Sequence, residues 1–409
     1  MTHDDTDILI IGGGLNGPAL ALALADAGFH VTIIDALKAG TRGQDAFDGR
    51  GYALALATQR LLVAIGVWSG VAPNATALLD IHISDGRPGD GPGPFVLEFE
   101  HDDLAEGPMG YMVEDRFLSR ALQQTMAAHP LVTLRDGEIV VAQQIDPGRV
   151  QVQLQSGQTV RGQIIIGCDG RASGVAQRAG IKRWGHDYGQ TALVTAIAHD
   201  RPHHGIAHQF FMPSGPLAIL PLPGQHSSIV WSERHVDATR IQALDDAAYL
   251  TELRPRFGDF LGDISLAGQR FTYPLSLTVA ERFTADRLAL VGDAAHGMHP
   301  IAGQGLNAGM RDVGALAEVL VDARRRGEDI GRLDVLERYE RWRRFDVLSM
   351  VGATEGVNRL FSNDNPLLRA ARELGLGAVN AMPGLKKRFI REAAGLTGDL
   401  PKLLQGRQI

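Results

Sequence analysis

The densest run of residues able to do chemistry is Leu288 to Asp312, LALVGDAAHGMHPIAGQGLNAGMRD. Leu288–Val291 is apolar enough for a buried strand, and Gly292 and Asp293 end it with a carboxylate at the tip. A loop of small residues follows, with His299 in it and Pro300 stiffening its middle. From Gly305 onward, Leu306, Met310, Val313, Leu316, Ala317 and Leu320 recur at helical spacing. A carboxylate at a strand end can accept hydrogen bonds from ligand hydroxyls. A helix start at Gly303, Gly305, Leu306 and Asn307 offers unpaired backbone N–H groups and a positive dipole end. Together they suit a cofactor with a hydroxyl chain and a ring edge that turns negative on reduction, which describes a flavin.

Such a site needs elements to hold the rest of the cofactor, and the start of the chain supplies them. Ile8–Ile11 reads as a strand, and Gly12, Gly14 and Gly17 form G-x-G-x-x-G before Pro18 and the helix-forming run ALALALADAG. Gly28 closes that helix, and HVTIID, His30 to Asp35, is a second strand ending in a carboxylate. This is the dinucleotide fingerprint in its strand–turn–helix–strand context. The glycines let a pyrophosphate approach a helix N-terminus, and Asp35 stands where an acid accepts ribose hydroxyls. The fingerprint alone does not separate FAD from NAD.

Further along, Ala36–Gly51 is a polar, Gly-rich loop ahead of a helix-like segment, Ala57–Ile65, and Arg50 lies at its end. Leu78–Arg87 and Phe95–Glu100 read as strands around a Gly/Pro turn, and Glu114–Ala127 as an amphipathic helix. Short alternating strands fill Leu131–Val160, and Gln163–Gly167 is an apolar strand leading into Cys168-Asp169-Gly170-Arg171-Ala172-Ser173. Ala192–Ala198, Ala207–Met212, Leu217–Leu222 and Ser227–Ser232 read as an antiparallel sheet, a wall for an apolar ligand. Ala243–Phe257 reads as a helix, and Phe271–Leu275 as a returning strand. Asp334–Val357 is a long helix charged on one side. Met382–Ile409 holds six Lys/Arg with Leu385, Phe389 and Ile390, which reads either as a membrane-surface helix or as a final helix packed on the domain.

Composition narrows the class. The chain has 409 residues, a net charge of −7 and one cysteine. That length accommodates two domains, the negative charge argues against nucleic acid as a partner, and no internal disulfide can form. The acidic MTHDDTD start leads straight into a strand, so no secretory signal is expected, and no apolar run is long enough to span a bilayer. A cytoplasmic protein is expected, with peripheral contact at the inner membrane as a variant of that. His199, His203, His204 and His208 lack an accompanying ligand set, so no metal is expected.

The motif Gly292-Asp293 through Asp312 resembles the second FAD motif of the class A flavoprotein aromatic hydroxylases, in the form of the branch that hydroxylates ubiquinone precursors. Asn358-Arg359-Leu360-Phe361-Ser362-Asn363, with Pro366–Arg369 and Leu374–Leu376, resembles the tail of that branch. The resemblance covers nearly the whole chain. It implies an α/β fold: a Rossmann-like FAD-binding domain (1–72, 104–186 and 278–332), an inserted antiparallel-sheet substrate domain (73–103 and 187–277), and a helical region (333–409). It implies FAD as cofactor and NAD(P)H as electron donor. It also implies O2 as co-substrate and hydroxylation of a polyprenylated phenol through a flavin C4a-hydroperoxide.

By the same resemblance Arg50 reaches over the FAD, Arg116 is the better candidate than Asp115 for its phosphates, and Asp169 and Gly170 form the family's Asp-Gly motif. An arginine usual three residues after the serine is Ala176 here, with Arg178 nearby. Asp293 would hold ribityl or ribose hydroxyls, and Pro300 would shape the loop beside the ring. His299 is a candidate base by location only. Two rivals stay open: a hydroxylase of small aromatic acids, for which the insert offers Arg201, Arg234 and Arg240, and a non-catalytic flavoprotein subunit of a biosynthetic complex.

Overall fold

The computed structural model describes residues 6–362 and 382–409 apart from 45, 46, 48, 49 and 90, and between those spans residues 372, 375, 377, 379 and 380. Its centre is a mainly parallel sheet. Ile8–Ile11 lies between Ile164–Gly167 and Val31–Asp35. Val132–Asp136 extends one side, Leu288–Leu290 the other, and Thr284–Ala285 closes that edge antiparallel. Ile8–Ile11 and Val31–Asp35 are buried throughout, as expected for parallel strands covered on both faces. The helix Asn16–Asp26 packs on this sheet and against the helix Gln304–Arg325, so the two Gly-rich motifs open helices that touch each other.

A second, larger sheet runs His296–Gly297, Phe271–Ala280, Arg183–His199, His226–Arg234, Leu217–Leu222, Ile206–Phe211, Asp80–Arg87 and Gly91–Glu100. It is antiparallel apart from one junction: Ile206–Phe211 pairs parallel with Asp80–Arg87, which arrives from far earlier in the chain. The strands Arg183–His199 and Phe271–Ala280 are longer than the sequence indicates. They run unbroken across residues 186/187 and 277/278, so the two regions share backbone ladders. The expected helix Ala243–Phe257 is observed as Asp246–Phe257, starting where Asp245 caps it by accepting from the Ala248 amide, and a further helix, His235–Gln242, precedes it where the sequence reading placed none.

Period-2 alternation splits the large sheet into two faces. Leu193, Ile197, Leu217, Ile219, Ile229 and Trp231 pack on the His235–Gln242 and Asp246–Phe257 helices through Ile241, Tyr249 and Phe257. Ala192, Val194, Ala196, Leu220 and Leu222 face the other way, Ala196 and Leu222 toward Ala53 and Met112 of the small sheet Gly51–Ala55, Gly110–Glu114 and Thr76–Leu78.

The long helix Leu333–Phe361 lies across both regions, with Tyr339 donating to the Leu290 carbonyl at one end and Phe361 stacked on Phe211 at 4.3 Å at the other. The helix Pro383–Ala393 packs on the domain: Ile390 and Ala394 are buried, Lys386 pairs with Glu100 and Asp103, and Arg391 with Glu106. Of its two sequence readings, the packed helix is the one observed. Of the tail residues read from resemblance, Asn363, Pro366–Arg369, Leu374 and Leu376 lie outside the described residues.

Candidate functional site

The three fingerprint glycines are held for different reasons. Gly12 has φ +109°, and a Cβ on it would lie 2.3 Å from the Cys168 carbonyl oxygen. A Cβ on Gly17 would lie 2.1 Å from the Gly12 oxygen, so this glycine allows the helix to pack on the strand. A Cβ on Gly14 would meet no protein atom within 4 Å. Its lack of a side chain serves something other than the protein, as a phosphate cradle requires. The helix it opens has no side-chain cap at Leu15, which leaves its first N–H groups for an anion. The site therefore fits the pyrophosphate of a dinucleotide.

Asp35 is buried at the end of its strand. Its carboxylate accepts from the Leu37 amide and from Arg42, whose Nη1 also donates to the Gly13 carbonyl at 2.9 Å. A carboxylate has acceptor sites beyond these two for ribose hydroxyls. No local pattern singles out Arg42, because it lies in an irregular Gly-rich loop. Arg50 pairs with the buried Asp115 at 2.9 Å, and the Asp115 amide donates to the Arg50 carbonyl. The aspartate that would repel a pyrophosphate is thus compensated from within. Arg116 is held by Glu114 at 2.8 Å and lies 4.6 Å over the Phe117 ring.

Asp169 spends both carboxylate oxygens on the short helix Gly174–Arg178, accepting from Ser173 Oγ at 2.6 Å and the Val175 amide at 3.0 Å. Its side chain fixes the turn beneath Gly12. Gly170 has φ +76°, and its carbonyl receives the Ser173 amide. Ala176 is buried, and Arg178 does not stand in for the usual arginine: it donates to the Gln143 side chain and the Val140 carbonyl. Burial, reinforced by Asp169 and Asp312, pushes the Cys168 thiol well up from its ordinary value.

The second motif is locked to the first by Asn16. Gly292 has φ +63°, and a Cβ there would lie 2.1 Å from Asn16 Nδ2; a Cβ on Gly309 would lie 2.5 Å from the same atom. Beneath this, the fully buried Asp312 accepts from the Gly292 amide at 3.0 Å, His296 Nε2 at 2.6 Å and Arg343 Nε at 2.8 Å. Asp293, half-exposed at the turn, receives Arg171 Nε at 3.0 Å. Arg171 also donates to the Ser276 and Met298 carbonyls, tying the Asp-Gly motif to the loop before Pro300. Sequence reasoning alone does not single out Arg171 as a site residue. Its position one residue after Asp-Gly was the available signal.

Pro300 opens the short 3-10 turn Ile301–Gly303, and the Gly303 amide donates to the Pro300 carbonyl. Gly303 takes φ +63° as the N-cap residue of the Gln304–Arg325 helix, where a Cβ would meet Ala53 at 3.0 Å. A Cβ on Gly305 would meet no protein atom within 4 Å, as at Gly14. Leu306 is half-buried. The Asn307 side chain is wholly committed to the protein. Its oxygen accepts from the Ala55 amide and Thr58 Oγ1, and its Nδ2 donates to the Ala53 and Gly303 carbonyls. The Asn307 side chain is therefore a brace that seats the helix start against Gly51–Ala55, leaving the backbone of that start for a cofactor.

His299 does not suit a general base. Its ring is buried against Tyr188 at 4.9 Å, and its Nε2 donates to Gln190 Oε1 at 3.2 Å; the Gln190 amide in turn donates to the Ser214 carbonyl. Burial, with a smaller contribution from Arg171, drives its pKa down to about 4. A neutral, tethered imidazole is a loop anchor, far from the pKa that base catalysis near neutrality favours. Among the described residues no group of three His, Cys, Asp or Glu side chains is arranged to hold a metal ion.

Comparison with known proteins places this geometry. The model of a family described as an FAD binding domain matches residues 5–351. The chain is similar to ubiquinone hydroxylase UbiL of Rhodospirillum rubrum, 45% identical over 403 residues, covering 98% of this chain and 92% of that one. It is similar also to the 3-demethoxyubiquinol 3-hydroxylase of Escherichia coli, 36% identical over 97% and 100% of the two chains. The human mitochondrial ubiquinone biosynthesis monooxygenase COQ6 is 30% identical over 95% and 92%. Among solved structures, p-nitrophenol 4-monooxygenase PnpA from Pseudomonas putida superposes with a TM-score of 0.79 at 20% identity over 97% and 99% of the chains, a likeness of fold.

Proposed function

The chain belongs to the FAD-binding family of flavoprotein monooxygenases, in the branch of the ubiquinone hydroxylases, and from this we propose that it hydroxylates the ring of a polyprenylated phenol on the way to ubiquinone. FAD, when bound, supplies the redox and oxygen chemistry, with NAD(P)H as the electron donor and O2 as the co-substrate of this class.

The chain's own residues do the rest. Gly12, Gly14 and Gly17 would admit the pyrophosphate, Arg50 and Arg116 would serve its charge, and Asp35 would receive the adenosine ribose. Asp293, oriented by Arg171, receives the hydroxyl chain. The start of the Gln304–Arg325 helix, through the Gly305 and Leu306 amides, would favour negative charge on a reduced ring bound there. Pro300 and the His299–Gln190 tether set the loop beside the ring.

The observation that carries the substrate reading is the inward face of the large sheet. Ala192, Val194, Ala196, Leu220 and Leu222 are apolar, and Ala196 and Leu222 pack toward Ala53, the residue that touches Gly303. The insert arginines that a small-acid hydroxylase would need lie elsewhere. Arg240 is paired with Glu252 at the surface, Arg201 donates to the Asp259 carbonyl, and Arg234 is exposed. An apolar wall from which Arg201, Arg234 and Arg240 lie apart matches a prenyl tail, each buried methylene of which adds roughly 0.8 kcal/mol.

No helix among the described residues is long and apolar enough to cross a membrane, so a bilayer-resident substrate is met at a membrane surface or through a biosynthetic complex. The test is a tail-length series. KM for prenylphenols should fall steeply as isoprene units are added and then level off. A KM independent of tail length would reject the apolar wall as the substrate site.

A further inference from the structure

We infer that His299 Nδ1 accepts the phenolic O–H of the substrate, and that Gln190 is the positioning residue that leaves this nitrogen free to do so. The inference rests on the polyprenyl-phenol reading and names the group that holds the phenol head.

Two side-chain amides fix the arrangement, and each is oriented by partners of its own. Gln190 is buried on its strand, and its Nε2 donates to the Ser214 carbonyl at 2.9 Å. Gly215 makes room for that amide: its φ is +146°, and a Cβ there would lie 2.9 Å from Gln190 Nε2. Gln190 Oε1 is thereby turned to His299 Nε2 at 3.2 Å and to Asn358 Nδ2 at 3.5 Å. Asn358 is oriented in turn by Ser362, whose Oγ donates to Asn358 Oδ1 at 2.9 Å. An amide oxygen can only accept, so His299 carries its proton on Nε2. Nδ1 is then a bare acceptor, and the depressed pKa of the ring keeps it so at neutral pH.

Nδ1 is buried and has no hydrogen-bond partner among the described residues. The donors around it are engaged elsewhere. Tyr188, whose ring centre lies 4.9 Å from that of the imidazole, gives its hydroxyl proton to Glu355. Arg171, whose charge acts on the imidazole, donates to Asp293 and to the Ser276 and Met298 carbonyls. An enclosed acceptor is costly to leave unpaired, so its partner is a donor that a ligand brings.

Position selects that ligand. Gln190 stands on the same strand face as Ala192, Val194 and Ala196, the proposed wall for the prenyl tail, with Leu275 opposite it on the next strand. Ala192 is two residues along, about 7 Å. A substrate whose tail lies on Ala192 and Val194 brings its head to the imidazole, and the donor in the head of a prenylphenol is the phenolic O–H. A neutral imidazole takes this hydrogen bond without taking the proton, in keeping with its unsuitability as a general base. Ser228 Oγ is also unpartnered on this face, but it sits beside Ala196 at the far end, 3.8 Å from where a Cβ on Gly51 would lie and so closed against the small sheet.

The experiment titrates the FAD-loaded enzyme with a short prenylphenol and with its methyl ether, which lacks the O–H, and follows flavin absorbance in the absence of NAD(P)H. The wild type should bind the phenol on the order of tenfold more tightly than the ether. His299→Leu removes the acceptor and should abolish this preference. Gln190→Leu keeps the imidazole but releases its tautomer, and the preference should fall severalfold. Each preference is a ratio within one variant, so a general weakening of the site cancels, and flavin content reports folding. The inference is overturned if the wild type binds phenol and ether equally, or if His299→Leu keeps the preference. A shifted flavin spectrum in ligand-free His299→Leu, with the preference kept, would give Nδ1 to the cofactor instead. Should His299→Leu fail to hold FAD, an undiminished preference in Gln190→Leu overturns the inference. Binding of neither compound by the wild type would reject the substrate reading and the inference with it, whereas phenol binding without the preference rejects the inference alone.

Discussion

Arg343 Nε donates to Asp312 Oδ1 at 2.8 Å with both side chains almost wholly inaccessible, and this pair sits directly under the turn that presents Asp293. Burial works to raise the Asp312 pKa, but the charges of His296 and Arg343 more than offset it and hold the carboxylate below its usual range. Removing the arginine leaves a buried carboxylate short of compensation. Arg343→Met should therefore cost about 3–5 kcal/mol of stability. Urea unfolding of the apo-protein measures this, and a loss below about 1 kcal/mol, the range of surface pairs, would show that the pair is not a structural centre.

Gly14 and Gly17 should respond oppositely. Gly14→Val meets no protein atom nearby, so the apo-protein should keep its thermal midpoint while losing FAD. Gly17→Ala drives a Cβ into the Gly12 carbonyl and should lower the midpoint of the apo-protein itself. Flavin absorbance after gel filtration, paired with apo-protein melting curves, separates the two effects. Full flavin retention in Gly14→Val would remove this turn from the cofactor site.

His299 gives a pH signature whose sign follows from burial. Its folded pKa of about 4 lies below the unfolded value of roughly 6.5, so between these limits the unfolded chain binds the extra proton. Its contribution is complete above about pH 6.5 and declines as the pH falls toward 4, by up to about 3 kcal/mol. The depressed Asp312 group contributes above its unfolded pKa of about 3.9 and is lost only in stronger acid, outside this window. Denaturant titrations at pH 7 and pH 5 should show His299→Asn losing less stability on acidification than the wild type. Identical losses would indicate a solvated imidazole.

Legibility in the sequence followed locality. The strand ending at Ile11, the helix to Asp26 and the carboxylate at Asp35 are set by neighbours in the chain, and each lies within a residue or two of its reading. The same holds for Leu288 to Arg325. What could not be read is pairing over distance. Nothing local joins Arg171 to Asp293, Asn16 to Gly309, or Asn307 to Ala53, and each contact depends on how the sheets are ordered. The place of Asn307 in a helix start and the location of His299 point toward ligand chemistry. Only the structure shows the first as a four-bond brace and the second as a buried tether. The parallel junction of Ile206–Phe211 with Asp80–Arg87 is of the same kind, since alternation fixes which side chains face the core but not the partner strand.

The central claim is that this site hydroxylates a prenylated phenol. The most direct measurement supplies purified, FAD-loaded enzyme with NAD(P)H and O2 and compares a short-chain prenylphenol with 4-hydroxybenzoate, following NAD(P)H oxidation and product mass together. The account predicts coupled formation of a product one oxygen heavier from the prenylphenol, with little or uncoupled oxidation on the free acid. Efficient coupled turnover of 4-hydroxybenzoate and none of the prenylphenol would contradict it.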